Sequence, residues 1–407
     1  MKKNNIQNKV YVALPAMDEA DYLPAFIECI RNQSFQDFLL VVCVNQPENW
    51  WEMEDKLSIC QNNKNSIEYL HTINDLNMHI IDRSSTGNGW KGKKYGVGWA
   101  RKVVMDYCAE KADSSDIIIS LDADTTFGSD YFSSIIQTFK QHPKAVALSN
   151  PYYHLLTSDE TKDRTILHYE IYMRYFALNM WRIKSPYSFT AVGSAIALPV
   201  SAYRAIGGIT PHKSGEDFYF LQKLRKYGEI ICWNKEKVYP AARYSNRVGF
   251  GTGPAMIKGR DGDWNSYPIY PLEFYDEVKA TYDLFPDLFE RDLETPMDIF
   301  NLEKFGEKNI WNLLRENFKQ KEKFVRACHH KLDGFRVFQF LKWRNSENNL
   351  TDEENFNRFF EKFYPESLSS LSFDLKMLSF EKSSIDELDE LRDLLLKIEE
   401  VYQKGLT

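Results

Sequence analysis

The chain of 407 residues has no C-x-x-C pair, no long unbroken apolar run, no internal repeat and no low-complexity tract. Its six cysteines (Cys29, Cys43, Cys60, Cys108, Cys232 and Cys328) are scattered, mostly within apolar runs. They read as core residues of a reduced, cytoplasmic protein, which excludes a disulfide framework. The longest uncharged stretch, Ser185 to Tyr203, is broken by Ser, Thr, Pro and Gly. It falls short of the roughly 20 predominantly apolar residues that span a bilayer, so no transmembrane segment is expected. Basic residues are the minority, 51 against 58 acidic ones for a net charge of -7. That balance excludes a general affinity for nucleic acid or an anionic membrane, and any polyanion site must be a local basic patch. Met1 to Lys9 is polar and carries no apolar signal region, so secretion is not expected.

The chain is longer than the roughly 250 to 300 residues at which single cores stop growing, so one large domain and a smaller unit are expected. Hydrophobic residues make up 43% and aromatic residues 14%, enough for a sizeable core. Over the first 240 residues, short apolar runs alternate with helical patterns, the signature of a parallel sheet in an α/β fold. The predicted strands are Lys9 to Pro15, Phe38 to Val44, Met78 to Asp82, Asp116 to Leu121 and Ala145 to Asn150. The predicted helices are Leu23 to Arg31, Trp50 to Gln61, Tyr95 to Ala112 and Ser129 to Gln141. From Tyr270 onward, charged segments carry aromatic stripes such as Phe356, Phe359, Phe360 and Phe363 at helical spacing. The last stripe follows a capping box of Ser384 and Glu387 and runs through Leu388, Leu391, Leu395, Ile398 and Tyr402. The expected division is 1–265 for the α/β domain and 266–407 for a mostly helical region.

In open sheets of this kind ligands bind beyond the carboxyl ends of the strands, here Ala16 to Glu19, Asn45 to Pro47 and Asp122 to Thr125. The strand Ile117 to Leu121 ends in Asp122-Ala123-Asp124. If the extended geometry persists, both carboxylates emerge on one side. Two crowded carboxylates suit a hard divalent cation such as Mg²⁺ or Mn²⁺, which bridges one or two carboxylates to substrate phosphates. Taken alone, the tripeptide is equally a solvated strand end.

Its surroundings single out one reading. The segment from Val10 through Pro15 to Asp18-Glu19 and Leu23 resembles the opening of family 2 glycosyltransferases of the GT-A fold. Phe38 to Asn45 is similar to that family's second strand, and Asp122-Ala123-Asp124 to its metal-binding Asp-x-Asp. Gly193-Ser194-Ala195 and Ala205 to Gly208 resemble its acceptor-side strand and turn, and Ser214-Gly215-Glu216-Asp217 its Glu-Asp motif at a helix start. The resemblance covers roughly residues 9 to 260. It implies a Rossmann-like mixed sheet with flanking helices and an inverting, metal-dependent transfer of a sugar from a nucleotide-diphosphate donor, UDP by default. The acceptor would be a glycan, a lipid-linked molecule or a small molecule in cell-envelope or polysaccharide assembly.

Carried over residue by residue, Pro15, Ala16, Glu19 and Asn45 would contact the nucleoside, and Asp122 the ribose or metal. Asp124 would hold the metal, Gly193 and Glu216 would lie on the acceptor side, and Asp217 would be the general base. Without its neighbours, Asp217 is no more than an acidic first turn favoured by the helix dipole. Arg243 and Arg247 precede Gly249-Phe250-Gly251-Thr252-Gly253-Pro254, a segment suited to a closing lid. Arginine forks fit phosphate oxygens, so both are candidate phosphate ligands, with incidental surface arginines the competing reading. Lys93, between Lys91 and Lys94, is a weaker candidate. His212 is a possible extra contact, whereas His329 and His330 read as a surface turn and not a zinc site.

The family places Asp at the end of the second strand, where this chain has Asn45. Asn can accept the same hydrogen bond without charge assistance, which leaves the base open. The Gln-x-x-Arg-Trp motif and membrane helices of the processive synthases are missing, which favours single-sugar transfer by a soluble enzyme, in peripheral contact with the inner membrane face at most. The alternatives are a retaining transferase, a sugar nucleotidyltransferase and a non-catalytic glycan-binding or scaffold domain. Ala16 to Glu19 lacks the glycine- and arginine-rich loop of the second.

Overall fold

The computed structural model describes residues 8–247, 249 and 251–405. The polar N-terminus and the Phe250 of the glycine segment therefore fall, in part or whole, outside the described residues. Two compact units are present: Met1–Ser158 with Ala191–Ile257 and Gln403–Thr407, and Asp159–Thr190 with Lys258–Tyr402. The second unit thus takes in residues 159–190, which the expected boundary at 265 had left with the first.

The first unit is built on β1 (Val10–Ala16), α1 (Leu23–Arg31), β2 (Phe38–Asn45), α2 (Leu57–His71), β3 (Met78–Arg83), α3 (Val97–Lys111) and β4 (Ile117–Ser120). There follow β5 (Thr125–Phe127), α4 (Tyr131–Gln141) and β6 (Ala145–Ser149). The helix α5 (Glu160–Arg182) belongs to the second unit. The first unit resumes with β7 (Ile196–Pro199), α6 (Val200–Ala205), α7 (Glu216–Tyr227), β8 (Glu229–Ile231), β9 (Val238–Pro240) and α8 (Thr252–Arg260), whose last residues fall in the second unit. Seven strands form one sheet in the order β3-β2-β1-β4-β7-β6-β8, and β5 pairs with β9 separately. The pairs β1–β2, β1–β4, β2–β3 and β6–β8 are parallel, and β7 runs antiparallel to both neighbours. This is the mixed sheet that the family resemblance implies. Every residue of β1 and β4 is buried, because helices cover both faces and leave no polar side.

The chain runs outward from β1 through β2 to β3, then returns to place β4 on the other side of β1. The carboxyl ends of β1 and β4 thereby face a topological switch point, where the two neighbouring loops diverge and leave a crevice. That crevice is what positions the site.

All five predicted strands are present within one or two residues at each end. The predicted helix over Trp50 to Gln61 is instead two short 3₁₀ turns, Glu48–Glu52 and Glu54–Lys56, followed by α2. The 23-residue α5 carries no clean apolar stripe, because its buried residues include Asp163, His168, Glu170 and Arg174. Thr252, Gly253 and Pro254, read as part of a loose glycine segment, form the first turn of α8, with Gly253 close against Ser245.

The second unit consists of α5 with α9 (Leu272–Leu288), α10 (Asp298–Phe305), α11 (Trp311–Asn317), α12 (Lys321–Lys331), α13 (Gly334–Arg344), α14 (Asp352–Phe363) and α15 (Ile385–Gly405) as far as Tyr402. Its aromatic core stacks Tyr175 against Phe356 and Phe359, at 5.7 and 5.0 Å. The Ser384–Glu387 capping box forms in both directions at the start of α15. His329, expected in a surface turn, lies inside α12 and packs on Tyr282 and Phe285 because that helix buries Cys328 and Phe324.

Asp352 and Asn355 on α14 bracket Ile269, accepting from its N–H and donating to its carbonyl, each at 2.9 Å. Burial pushes the Asp352 carboxyl up to about 6 despite that N–H bond. The folded value lies above the ordinary carboxylate range near 4, so the folded state retains a proton that the unfolded chain releases. The contribution of this group is therefore intact below about pH 4 and is lost as pH rises through about 6. Asp352→Asn, which keeps the acceptor oxygen without the charge, is expected to reduce the drop in thermal midpoint between pH 4 and pH 7 relative to wild type. Equal drops in the two proteins would count against the assignment.

Candidate active site

The residues that meet at the switch point are charged, and they sort around three arginines. Arg101 projects from α3, which packs on β1 and β2, and is 2% exposed. Its Nη2 donates to Asp122 Oδ1 at 2.8 Å and its Nε to Glu216 Oε1 at 3.1 Å. Its Nη1 donates to the Ser120 hydroxyl and to the Gly193 carbonyl, the latter at 3.2 Å. One guanidinium thereby joins the end of β4, the turn before β7 and the start of α7. Burial works against the charge, but Asp122 and Glu216 overcome it and hold the guanidinium protonated. A Cβ at position 193 would lie 2.8 Å from Arg101 Nη2, so a side chain there would have to displace the guanidinium.

The second cluster forms where the segment after β9 crosses the mouth of β1. Arg243 Nη2 lies 2.5 Å from Glu19 Oε1 and 2.7 Å from Asp124 Oδ2, and its guanidinium sits 4.5 Å over the Tyr22 ring. Arg247 donates to the same Glu19 oxygen at 2.5 Å and to the Met17 carbonyl. Glu19 is 5% exposed, and its other oxygen, Oε2, has no hydrogen-bond partner among the described residues.

The strand β4 ends at Ser120, and Ala123 and Asp124 form a turn closed by Thr125 N–H to the Asp122 carbonyl at 3.1 Å. The extended geometry expected to carry both aspartates to one side therefore stops two residues early. The turn still leaves the carboxylates near enough for Asp122 to act on Asp124 electrostatically. Burial pushes the Asp124 carboxyl up to about 6, with Arg243 pulling it down and Glu19 and Asp122 pushing it further up.

The helix α7 begins after Gly215, whose φ of +71° is the left-handed conformation that only glycine adopts at little cost. That turn puts Glu216 inward on Arg101 and leaves Asp217 half-buried at the helix N-terminus. Asp217 Oδ1 accepts from the Phe218 N–H at 2.8 Å. Burial raises its carboxyl to about 7, with Glu216 and Asp122 pushing up and Arg101 pulling down.

Other predicted residues are engaged elsewhere. Pro15 and Ala16 are buried in β1, and the Ala16 carbonyl accepts from the Asn45 amide at 2.9 Å. The Asn45 side-chain oxygen, expected to accept from a base ring, already accepts from the Trp90 indole N–H at 3.2 Å. One lone pair of that oxygen is left. Lys93 is exposed in the loop before α3 and takes no part in either cluster. His212 stacks on Tyr219 at 4.6 Å.

Sequence reasoning missed Arg101. The signal was present, since Ala100, Val104, Met105 and Cys108 mark the buried face of α3 and Arg101 lies among them. A charged residue on an apolar stripe calls for a buried partner.

The set Glu19, Asp122 and Asp124 offers hard oxygen donors, an unpartnered carboxylate oxygen, and an aspartate that one guanidinium does not fully compensate. These features fit Mg²⁺ or Mn²⁺. Among the described residues no three His, Cys, Asp or Glu side chains are grouped closely enough to hold a metal ion by themselves. A site using one or two carboxylates leaves coordination positions for phosphate oxygens.

Residues 117–291 match the family model described as glycosyl transferase family group 2. Among solved structures the chain is similar to S. aureus TarS 1-349 in complex with UDP-GlcNAc, at 14% identity over 98% of this chain and 92% of that one, with a TM-score of 0.40. It is also similar to the mannosyltransferase PcManGT from Pyrobaculum calidifontis in complex with GDP-Man and Mn²⁺, at 12% identity over 97% and 87% of the two chains and a TM-score of 0.40. No curated protein matches the sequence. Among the described residues no helix is long and apolar enough to cross a membrane.

Arg101→Met removes the charge that compensates Asp122 and buried Glu216. Breaking a buried pair in this way typically costs about 3–5 kcal/mol, so the urea midpoint should fall well below wild type. Adding Glu216→Gln should recover part of the loss by removing the stranded charge. A single variant as stable as wild type would contradict the role given to Arg101.

Proposed function

We propose that this protein, whose residues 117–291 match the model of glycosyl transferase family group 2, is a glycosyltransferase that transfers a sugar from a nucleotide-diphosphate donor with inversion at the anomeric carbon and dependence on Mn²⁺ or Mg²⁺. The observation that carries this reading is the pairing of unlike carboxylates at one switch point. Asp122 is tied to Arg101, whereas Asp217 is raised to about 7 three side chains away in the same network. A carboxyl raised toward neutrality and a carboxylate held in an ion pair are suited to different chemical tasks.

Asp217 is the general base. In the proposed step the acceptor hydroxyl oxygen forms the new bond to the anomeric carbon, the bond from that carbon to the diphosphate oxygen breaks, and Asp217 takes the hydroxyl proton. A carboxyl near 7 is well matched to that work at neutral pH. The N-terminus of α7 gives the half-buried carboxylate an open side toward solvent. Asp122 and Asp124 are the proposed ligands of the divalent ion, which when bound would neutralise charge on the departing diphosphate. Arg243 and Arg247 are the proposed phosphate contacts, since guanidinium forks match phosphate oxygens. Pro15, Ala16, Glu19 and Asn45 form the proposed nucleoside side, with UDP as the default base, and Gly193 and Glu216 the acceptor side. The proposed acceptor is a glycan, a lipid-linked molecule or a small molecule on the cytoplasmic side. Lys93 is kept as a phosphate contact only if its loop folds inward.

Two measurements test the assignment. Isothermal titration with UDP and Mn²⁺ should give near wild-type affinity for Asp217→Asn, whose hydrolysis of a UDP-sugar should fall by about 10²- to 10⁴-fold, the usual contribution of a general base. Asp124→Ala should weaken Mn²⁺-dependent UDP binding at least about tenfold, the loss of one charged ligand. Wild-type hydrolysis should climb as pH rises through about 7, because only the ionised Asp217 accepts a proton, and then level off. Nuclear magnetic resonance of the released sugar should show the anomeric configuration inverted, and retention would refute the mechanism.

A further inference from the structure

Arg243 stands on one of the two aspartates proposed to hold the divalent ion. Its Nη2 bridges Asp124 Oδ2 at 2.7 Å and Glu19 Oε1 at 2.5 Å, with the Tyr22 ring 4.5 Å beneath the guanidinium. A cation ligated by the same Asp124 oxygen and this guanidinium cannot share the position, since two positive groups at contact distance repel strongly in a partly buried site. The arrangement also favours the release of Arg243 over that of its neighbour. Glu19 Oε1 keeps Arg247 at 2.5 Å when Arg243 leaves, so Glu19 is not stranded. Arg247 is further held by the Met17 carbonyl and by Ser245 Oγ at 3.0 Å. Arg243 and Asp124 are 17% and 16% exposed at their side chains, close enough to the surface for a long side chain to swing without any backbone change.

We propose that Arg243 is an exchangeable counter-ion: it occupies Asp124 until a divalent cation takes that oxygen, and is thereby released to bind the donor's diphosphate. The exchange conserves charge pairing at each stage. Asp124 trades a guanidinium for the ion, and the guanidinium trades a carboxylate for phosphate oxygens, to which it is well matched. Binding of the ion and of the diphosphate become linked through one side chain, and such linkage is reciprocal. The inference rests on the reading of Asp124 as a metal ligand.

The test needs no turnover. Electron paramagnetic resonance of free Mn²⁺ measures the affinity for the ion alone, and titration calorimetry measures UDP binding at saturating Mn²⁺. Arg243→Gln should bind Mn²⁺ alone about tenfold more tightly and UDP with Mn²⁺ about tenfold more weakly, shifts of about 1.4 kcal/mol in opposite directions. Arg247→Gln, which leaves Arg243 on Asp124, should not tighten Mn²⁺. Should Arg243→Gln fail to fold, Arg243→Lys is measured in its place, and its single ammonium should give the same signs at smaller size. Mn²⁺ affinity that is unchanged or weakened in the Arg243 variant, while Asp124→Ala abolishes ion binding, overturns the exchange and spares the metal site. Ion binding indifferent to Asp124→Ala overturns both.

Discussion

One buried guanidinium organises the first unit around its site. Arg101 is almost fully enclosed, and a charge in that position is tolerated only if carboxylates and carbonyls are brought to it. Meeting that requirement draws Asp122 from the end of β4, Glu216 from the first turn of α7 and the Gly193 carbonyl from the turn before β7 to a single point. These three segments are distant in sequence; β4 and β7 already pair in the sheet, and the guanidinium ties the start of α7 to them. The constraint also sets acidity. Asp217, next to Glu216, is pushed up by burial and by its like-charged neighbours more than Arg101 pulls it down.

Around this centre the site alternates sign. Asp122 and Glu216 surround Arg101, and Glu19 and Asp124 surround Arg243, with Arg247 as a second support for Glu19. A cluster built in this way is held in place without being satisfied throughout, as the unpartnered Glu19 Oε2 and the raised Asp124 show. It has the capacity to accept a further cation and, once arginine is released, a polyanion. A nucleotide diphosphate with a divalent ion has both characters.

Much of this was legible in the chain itself, for identifiable reasons. The five strands are short, continuously apolar and bounded by turns, so their burial on both faces is written in composition. Asp122, Asp124, Glu216 and Asp217 were visible as acidic pairs at a strand end and a helix start. By contrast, α5 escaped because its buried face carries Glu170, Arg174 and His168, which mimic a solvated surface. Arg174 pairs with Glu170 four residues before it on the same helix, at 3.0 Å, and within the second unit with Glu399, a partner that no local pattern reveals. The condition that extended geometry carry through to Asp124 was not met: the bond from Leu121 N–H to the Ala13 carbonyl is the last to β1, and beyond it the chain turned.

The order of residues by itself determined five of the strands and the helices α1, α3 and α4, that they form an α/β sheet, and which carboxylates sit at element ends. Those properties follow from periodicity and local turn chemistry, which act over a few residues. Only the tertiary structure decided which arginine meets which carboxylate, that Asn45 spends its oxygen on Trp90, and that Arg243 rests on Asp124. At the site those pairings join residues 21 to 228 positions apart. They depend on strand order and on the free energy of burying charge, and neither is encoded in any local stretch of chain.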